Sequence, residues 1–223
     1  MTLVFASNNA HKLEEVRAIM PAHIRIISPK DIGFDQEIAE TGTTLEQNSE
    51  IKARALVDFI RRQPSAVSTP IDGVFADDTG LEIDALNGAP GVYTARWYLM
   101  PTPSQCSTGK EPNTEMMIFA ANRAKALQSL EGKENRQAQF RTVITLIRWE
   151  NGASHVQDAT LQVEGIVRGR IAEEEYGLGG FGYDPIFIPE GYDKTFGELP
   201  ASLKNTISHR ARAMEALVKV LSC

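Results

Sequence analysis

Phe140-Arg141-Thr142-Val143-Ile144-Thr145-Leu146-Ile147-Arg148-Trp149 is apolar on both faces, as a central strand of a covered sheet is. Downstream, Thr160 to Val167 alternates more cleanly between apolar and polar residues, and Glu150-Asn151-Gly152 between the two runs reads as a hairpin turn. Two long antiparallel strands at the heart of a chain otherwise rich in helical patterns predict a mixed α/β fold, not a purely parallel βαβ series.

The N-terminal half alternates short strands with helices. Leu3 to Ala6 reads as a buried strand, Ser7-Asn8-Asn9 as a turn, and Leu13, Val16 and Met20 recur at helical spacing. Ile24 to Ile27 is a second strand, 31–44 a polar loop, and 45–62 a helix. The Pro/Ser/Thr-rich stretch 63–72 is a loop. Gly73 to Ala76 is a strand expected to end in Asp77-Asp78-Thr79-Gly80, with Leu81 to Leu86 pairing beside it. Gly88-Ala89-Pro90-Gly91 is turn chemistry.

Residues 100–112 read as a surface insertion, and 115–130 as a helix with Met116, Phe119, Ala120, Leu127 and Leu130 on its apolar face. Glycines 177, 179, 180 and 182 cluster in 173–188. A last helix from about Asn205 is expected to bury Ile207, Ala211, Met214, Leu217 or Val218, and Leu221. No internal repeat occurs.

The chain of 223 residues is long enough for a substantial core. A net charge of −6 argues against a broad nucleic-acid-binding surface. The opening MTLVFASNN is too short an apolar run for a signal peptide, and no stretch reaches membrane-spanning length. Cys106 and Cys223 form neither a metal-ligand spacing nor a disulfide framework. The expectation is a cytoplasmic protein that engages no membrane and no nucleic acid.

Three clusters carry chemistry. Helix N-termini are partially positive, so cations there are unfavourable by roughly 0.3–1 kcal/mol each. Yet His11 and Lys12 open the first helix, and Lys204, His209 and Arg210 crowd the start of the last. A bound polyanion would reverse that cost, with Ser7, Asn8 and Asn9 adding neutral donors; solvated surface cations beside an Asn cap are the bland alternative. The second cluster is acidic. Adjacent strand residues face opposite ways, so one of Asp77 and Asp78 enters a given site. Glu40 with Asp78 would suit Mg²⁺, which takes one or two carboxylates plus substrate phosphates. An Asp-Asp turn cap is the alternative. The third is Gly179-Gly180-Phe181-Gly182-Tyr183-Asp184-Pro185, where Phe181 offers a face for stacking and Asp184 an acceptor for a base N–H. Neither the dinucleotide fingerprint nor a GxxxxGK[ST] loop occurs.

Taken together, these stretches resemble the Ham1/inosine-triphosphatase family, which hydrolyses non-standard purine nucleoside triphosphates. Ser7-Asn8-Asn9-Ala10-His11-Lys12 is similar to its nucleotide-binding turn. Glu40-Thr41-Gly42 with Asn48 and Lys52 is similar to its second signature, and Ala76 to Leu81 to its catalytic strand. Gly88 to Tyr93 with Ala95-Arg96, Gly180 to Asp184, and Lys204 with Ser208-His209-Arg210 complete the set. The resemblance implies one elongated α/β domain over 1–223, with a long mixed sheet flanked by helices, two lobes, a cleft between them and a homodimeric state. It implies that Lys12, Lys52 and Lys204 hold the triphosphate, with Ser7 and Asn9 contacting it through the turn. Glu40 and Asp78 would bind Mg²⁺, Asp78 would accept a proton from the attacking water, and Thr79 would contact substrate. Within the segment that includes Gly182 and Tyr183, Phe181 would stack on the base. Asp184, His209 and Arg210 would read its edge.

Hypoxanthine and xanthine present a 6-oxo acceptor and an N1–H donor that these groups meet, whereas adenine would leave them unpaired. Two other readings use the same residues: a Maf-like pyrophosphatase acting on dTTP or modified nucleotides, and a nucleotide sensor without hydrolysis. Retention of Glu40, Asp77 and Asp78 favours an enzyme over the sensor.

Overall fold

The computed structural model describes residues 1–63, 70–100, 114–149 and 159–222. The chain divides into two compact units, one of residues 1–78, 142–166 and 207–223, the other of 79–141 and 167–206.

In the first unit, β1 (Thr2–Phe5) lies parallel to both β2 (Arg25–Ile27) and β3 (Gly73–Ile83), with Val4 opposite Val74 and Phe5 opposite Phe75. Side chains leave these strands alternately up and down, so each face collects every second residue. One face gathers Leu3, Phe5, Phe75, Ile144 and Leu146. It is covered by Val16 of α1 (Ala10–Ile19) and by Ala213, Met214 and Leu217 of α5 (His209–Leu221). Phe5 stacks on Phe75 with centroids 4.8 Å apart. The opposite face gathers Val4, Ala6, Val74, Ala76 and Ile147 under Ala53, Leu56 and Val57 of α2 (Leu45–Arg62). At roughly 1.5–3 kcal/mol per large side chain removed from water, both faces contribute strongly to folding. Ile144 and Ile147 lie on opposite faces, which is why the 140–149 stretch lacks a polar side.

The hydrogen-bonded strand order is β2-β1-β3-β5-β6-β7, with β4 paired to β3, where β4 is Pro90–Gly91, β5 is Gln137–Arg148, β6 is Ala159–Ile171 and β7 is Phe187–Pro189. The expected neighbours β5 and β6 are adjacent; the expected turn 150–152 lies outside the described residues. In the second unit, β4 (Pro90–Gly91) runs antiparallel to β3, and β7 (Phe187–Pro189) antiparallel to β6. The fold is therefore α/β with a mixed central sheet flanked by helices.

Three expectations are corrected. β3 does not end at Asp77-Asp78 but continues to Ile83, so both acids sit mid-strand. The strand can continue because their charges are met by cations from neighbouring helices. The last helix is two helices: α4 (Ala201–Ile207) and α5, separated by Ser208, whose extended backbone breaks the run and whose hydroxyl accepts from Ala211 N–H as an N-cap. Lys204 thus belongs to α4, and only His209 and Arg210 open α5. Finally, α3 (Glu115–Ser129) buries Asn122, Lys125 and Ala126, while Met116 and Ala120 are exposed. The polar pair is buried because it satisfies backbone of a 3₁₀ segment, Thr94–Leu99: Asn122 donates to Ala95 O at 3.0 Å and accepts from Tyr98 N–H at 2.8 Å, and Lys125 donates to Trp97 O at 2.6 Å. The expected insertion lies outside the described residues from 101 onward, as do Cys106, Cys223 and residues 64–69. Among the described residues no helix is long and apolar enough to cross a membrane.

Candidate functional site

Because the pleat turns neighbouring residues to opposite faces, Asp77 continues the row of Phe75 towards α1 and α5, and Asp78 the row of Ala76 towards α2. Each acid meets its own set of partners. Asp77 Oδ1 accepts from Lys12 Nζ at 2.8 Å, and its Oδ2 accepts from Arg210 Nε and Nη2 at 3.2 and 3.1 Å. Arg210 Nη1 also pairs with Glu15. Asp77 is 1 % exposed. Burial opposes its ionisation, but Lys12 and Arg210 outweigh that and hold its carboxyl well below the usual range. Burial also pushes Lys12 down, with Asp77 opposing.

On the other face, Lys52 Nζ donates to Asp78 Oδ1 at 2.9 Å and to Glu40 Oε1 at 2.8 Å. Asn48 bridges the same group, donating to Asp78 Oδ2 at 3.3 Å and accepting from Gly42 N–H at 2.8 Å. A side chain at Gly42 would put its Cβ 2.6 Å from Asn48 Oδ1, so glycine lets the Glu40 loop close down on α2. Burial pushes the Asp78 carboxyl up, Lys52 and Lys12 opposing it and Glu40 adding to it. Glu40 keeps 27 % of its side chain exposed, so this group is open where Asp77 is sealed.

The remaining residues of the first unit frame these groups. Asn9 caps α1, its Oδ1 accepting from Lys12 N–H at 3.0 Å, and Ser7 Oγ accepts from Asn9 N–H at 3.3 Å. Asn8, Ala10 and His11 are exposed. His209 is buried, with Nδ1 2.6 Å from Thr142 Oγ1.

In the second unit, Asp184 organises the glycine loop. Its Oδ2 accepts from Phe181 N–H at 2.7 Å and from Lys204 Nζ at 2.6 Å. Lys204 Nζ also lies 4.8 Å from the centroid of the Phe181 ring. Gly180, at φ +71°, is in the left-handed region, and a Cβ there would strike the Asp184 carboxylate. Gly182 O accepts from Arg123 Nη1 at 2.9 Å, and Tyr183 donates its hydroxyl to Thr94 O at 3.0 Å. Thr79 is half-buried in β3.

The Ham1 family profile matches residues 3–220. The chain belongs to the Ham1 family. A Flavobacterium johnsoniae relative, a dITP/XTP pyrophosphatase, is 41 % identical over 222 residues, covering 100 % of this chain and 98 % of its own. The solved Ham1 protein of Coxiella burnetii superposes with a TM-score of 0.74 at 35 % identity, covering 100 % of this chain and 98 % of that one. That of Staphylococcus aureus gives 0.73 at 34 %, with the same coverage.

Within this Ham1 frame, the structure brings Lys12 to Arg210, and Glu40 and Asp78 to Lys52, while Phe181, Asp184 and Lys204 form a group of their own. Cations at the starts of α1 and α5 have an explanation that sequence reasoning missed: neither first turn holds an acid, Asp77 bonds to Lys12 and Arg210 alike, and Glu15 adds a second carboxylate at Arg210. Glu15 and Arg123 were also missed. Glu15 lies one turn beyond Lys12 and had only its spacing to mark it; Arg123 gave no signal, since its partners, the Gly182 carbonyl and the Glu175 carboxylate, are more than fifty residues away.

Proposed function

We propose that this protein hydrolyses non-standard purine nucleoside triphosphates (dITP, XTP and ITP) to the nucleoside monophosphate and pyrophosphate, with Mg²⁺, in the cytoplasm and as a homodimer. The observation that carries the reading is the convergence of Glu40 and Asp78 on a single cationic point, the Lys52 ammonium. Two hard oxygen donors aimed at one point, one of them partly open, fit Mg²⁺. The names of the relatives supply the substrate class.

Glu40 and Asp78 would hold the metal. When bound, Mg²⁺ would neutralise triphosphate charge and stabilise the charge that builds on the leaving pyrophosphate. Asp78 orients a water for in-line attack at the α-phosphorus and takes its proton; the new P–O bond forms as the bond to the bridging α–β oxygen breaks. Lys12, Lys52 and Lys204 bind the triphosphate, with Ser7, Asn8, Asn9, Ala10 and His11 forming the turn around it and Thr79 contacting substrate. Phe181 stacks on the base, Gly182 and Tyr183 shape the loop, and Asp184, His209 and Arg210 read the 6-oxo and N1–H edge.

The deciding experiment measures pyrophosphate release from dITP, XTP, ITP, GTP, ATP and dTTP, with Mg²⁺ and with EDTA. Release from dITP, XTP and ITP well above GTP and ATP, abolished by EDTA, is the expected result. Release from dTTP alone would replace it with the Maf-like reading. Saturable ITP binding without release would replace it with the sensor.

A further inference from the structure

Helices α1 and α5 each open with a cation and have no acid in their first turns, an arrangement the helix dipole disfavours. A buried residue of β3, outside both helices, supplies one compensating charge, and Glu15 of α1 adds a second at Arg210. Asp77 assigns one oxygen to each helix: Oδ1 to Lys12 of α1, Oδ2 to the Nε–Nη2 edge of Arg210 of α5. This contact fixes the plane of the guanidinium as well as the position of Arg210, and Glu15 holds its other arm. Lys12 keeps 18 % of its side chain exposed, whereas Asp77 keeps 1 %. The carboxylate is therefore sealed, while part of the Lys12 side chain reaches the surface.

We infer that Asp77 is a positioning residue, not a metal ligand: it holds Lys12 and Arg210 in place for nucleotide binding, while its neighbour Asp78 serves the metal and the water. This rests on the proposed pyrophosphatase reading and divides the labour of two adjacent aspartates by the face each occupies. A purely stabilising design would place an acid in each first turn and a neutral residue at position 12. Asp77 bridges the two cations and Glu15 adds the second negative charge at Arg210, so both cations are aligned, with their side-chain freedom already lost, before substrate arrives.

The test compares wild type with Asp77→Asn in four readouts: thermal stability, KM and kcat for dITP, the Mg²⁺ concentration for half-maximal rate, and the Kd of a non-hydrolysable α,β-methylene dITP. The expected result for Asp77→Asn is a rise of about tenfold to a hundredfold in KM and analogue Kd. The kcat should fall less, and the Mg²⁺ half-saturation should stay at the wild-type value. Asp77→Glu, which keeps the charge, should recover part of the affinity. A folded Asp77→Asn protein with wild-type KM and Kd would reduce Asp77 to a structural role and overturn the inference. A shifted Mg²⁺ half-saturation with unchanged KM would make it a metal ligand and overturn it equally.

Removing one member of a buried ion pair can unfold a protein, whereas removing both is tolerated far better. Arg210→Met is therefore compared with Arg210→Met/Asp77→Asn, which isolates the hold on Lys12. A further loss of about tenfold in analogue affinity in the double variant is expected; equal affinities overturn the inference. Absence of dITP turnover in the wild type would count against the functional reading alone, since the analogue Kd values still judge Asp77.

Discussion

Asp77 and Asp78 share one peptide bond and differ in nearly every physical respect. Asp78→Asn is expected to fold and to bind the non-hydrolysable analogue, while turnover falls by about a hundredfold to ten-thousandfold, the range for loss of a positioned base. Single-turnover kinetics beside calorimetric binding would check this, and near-normal kcat would remove Asp78 from its role. Asp77 makes a prediction about acid. Its folded carboxyl titrates below the unfolded value, so its stabilising contribution is complete above about pH 4 and is lost as the pH falls from there towards its depressed folded value. Melting curves at successive pH values should show a shallower acid decline for Asp77→Asn than for wild type. At this scale the sequence revealed the chemistry better than the pairings. Glu40 and Asp78 were legible as a pair through their residue types and the family's motifs, and Lys52 as a phosphate-binding cation; the bonds from Lys52 to both carboxylates were not. That Asp77 answers the cations of two helices was not, because Arg210 is 133 residues away in the chain.

Elements behave according to how much of their specification is local. The bounds 45–62 of α2 were readable because Thr44 caps Gln47 N–H while Gln47 accepts from Thr43 N–H, a start signal contained in a few residues. The two-sided character of β5 was readable because covering a strand on both faces removes its polar residues. The buried face of α3 was misread, since Asn122 and Lys125 are inside only by virtue of carbonyls on a separate segment. The break at Ser208 was missed because 201–221 keeps helical spacing across it. Ser208→Ala, which removes the α5 cap, should cost about 1 kcal/mol in chemical denaturation. Gly180→Ala should cost about 1–3 kcal/mol, since the new methyl combines a left-handed φ with a clash against Asp184. It should also weaken nucleotide binding by disturbing the Asp184–Lys204 pair. Retained affinity for the analogue in Gly180→Ala would detach that loop from base recognition.

Across the whole molecule, the chain passes between its two units after residues 78, 141, 166 and 206, and at the first three of these points it is in the middle of a strand. Each of β3, β5 and β6 therefore contributes residues to both units, which explains why neither unit could be read as a contiguous stretch of sequence. The proposed homodimer predicts a sedimentation mass about twice that of the chain, and a single-chain mass at micromolar concentration would refute it. The pleat at β3 has one more consequence, which concerns length more than chemistry. Which aspartate faces α1 and α5, and which faces α2, is set by the parity of the count from Phe75. One residue inserted or deleted between Phe75 and Asp77 would exchange the two acids, delivering the sealed carboxylate to the open side and the proton acceptor to the sealed one, with every functional residue still present. Such a frame slip spares composition and motif content alike, so β3 should tolerate conservative replacements at several positions and no change at all in the number of residues it contains.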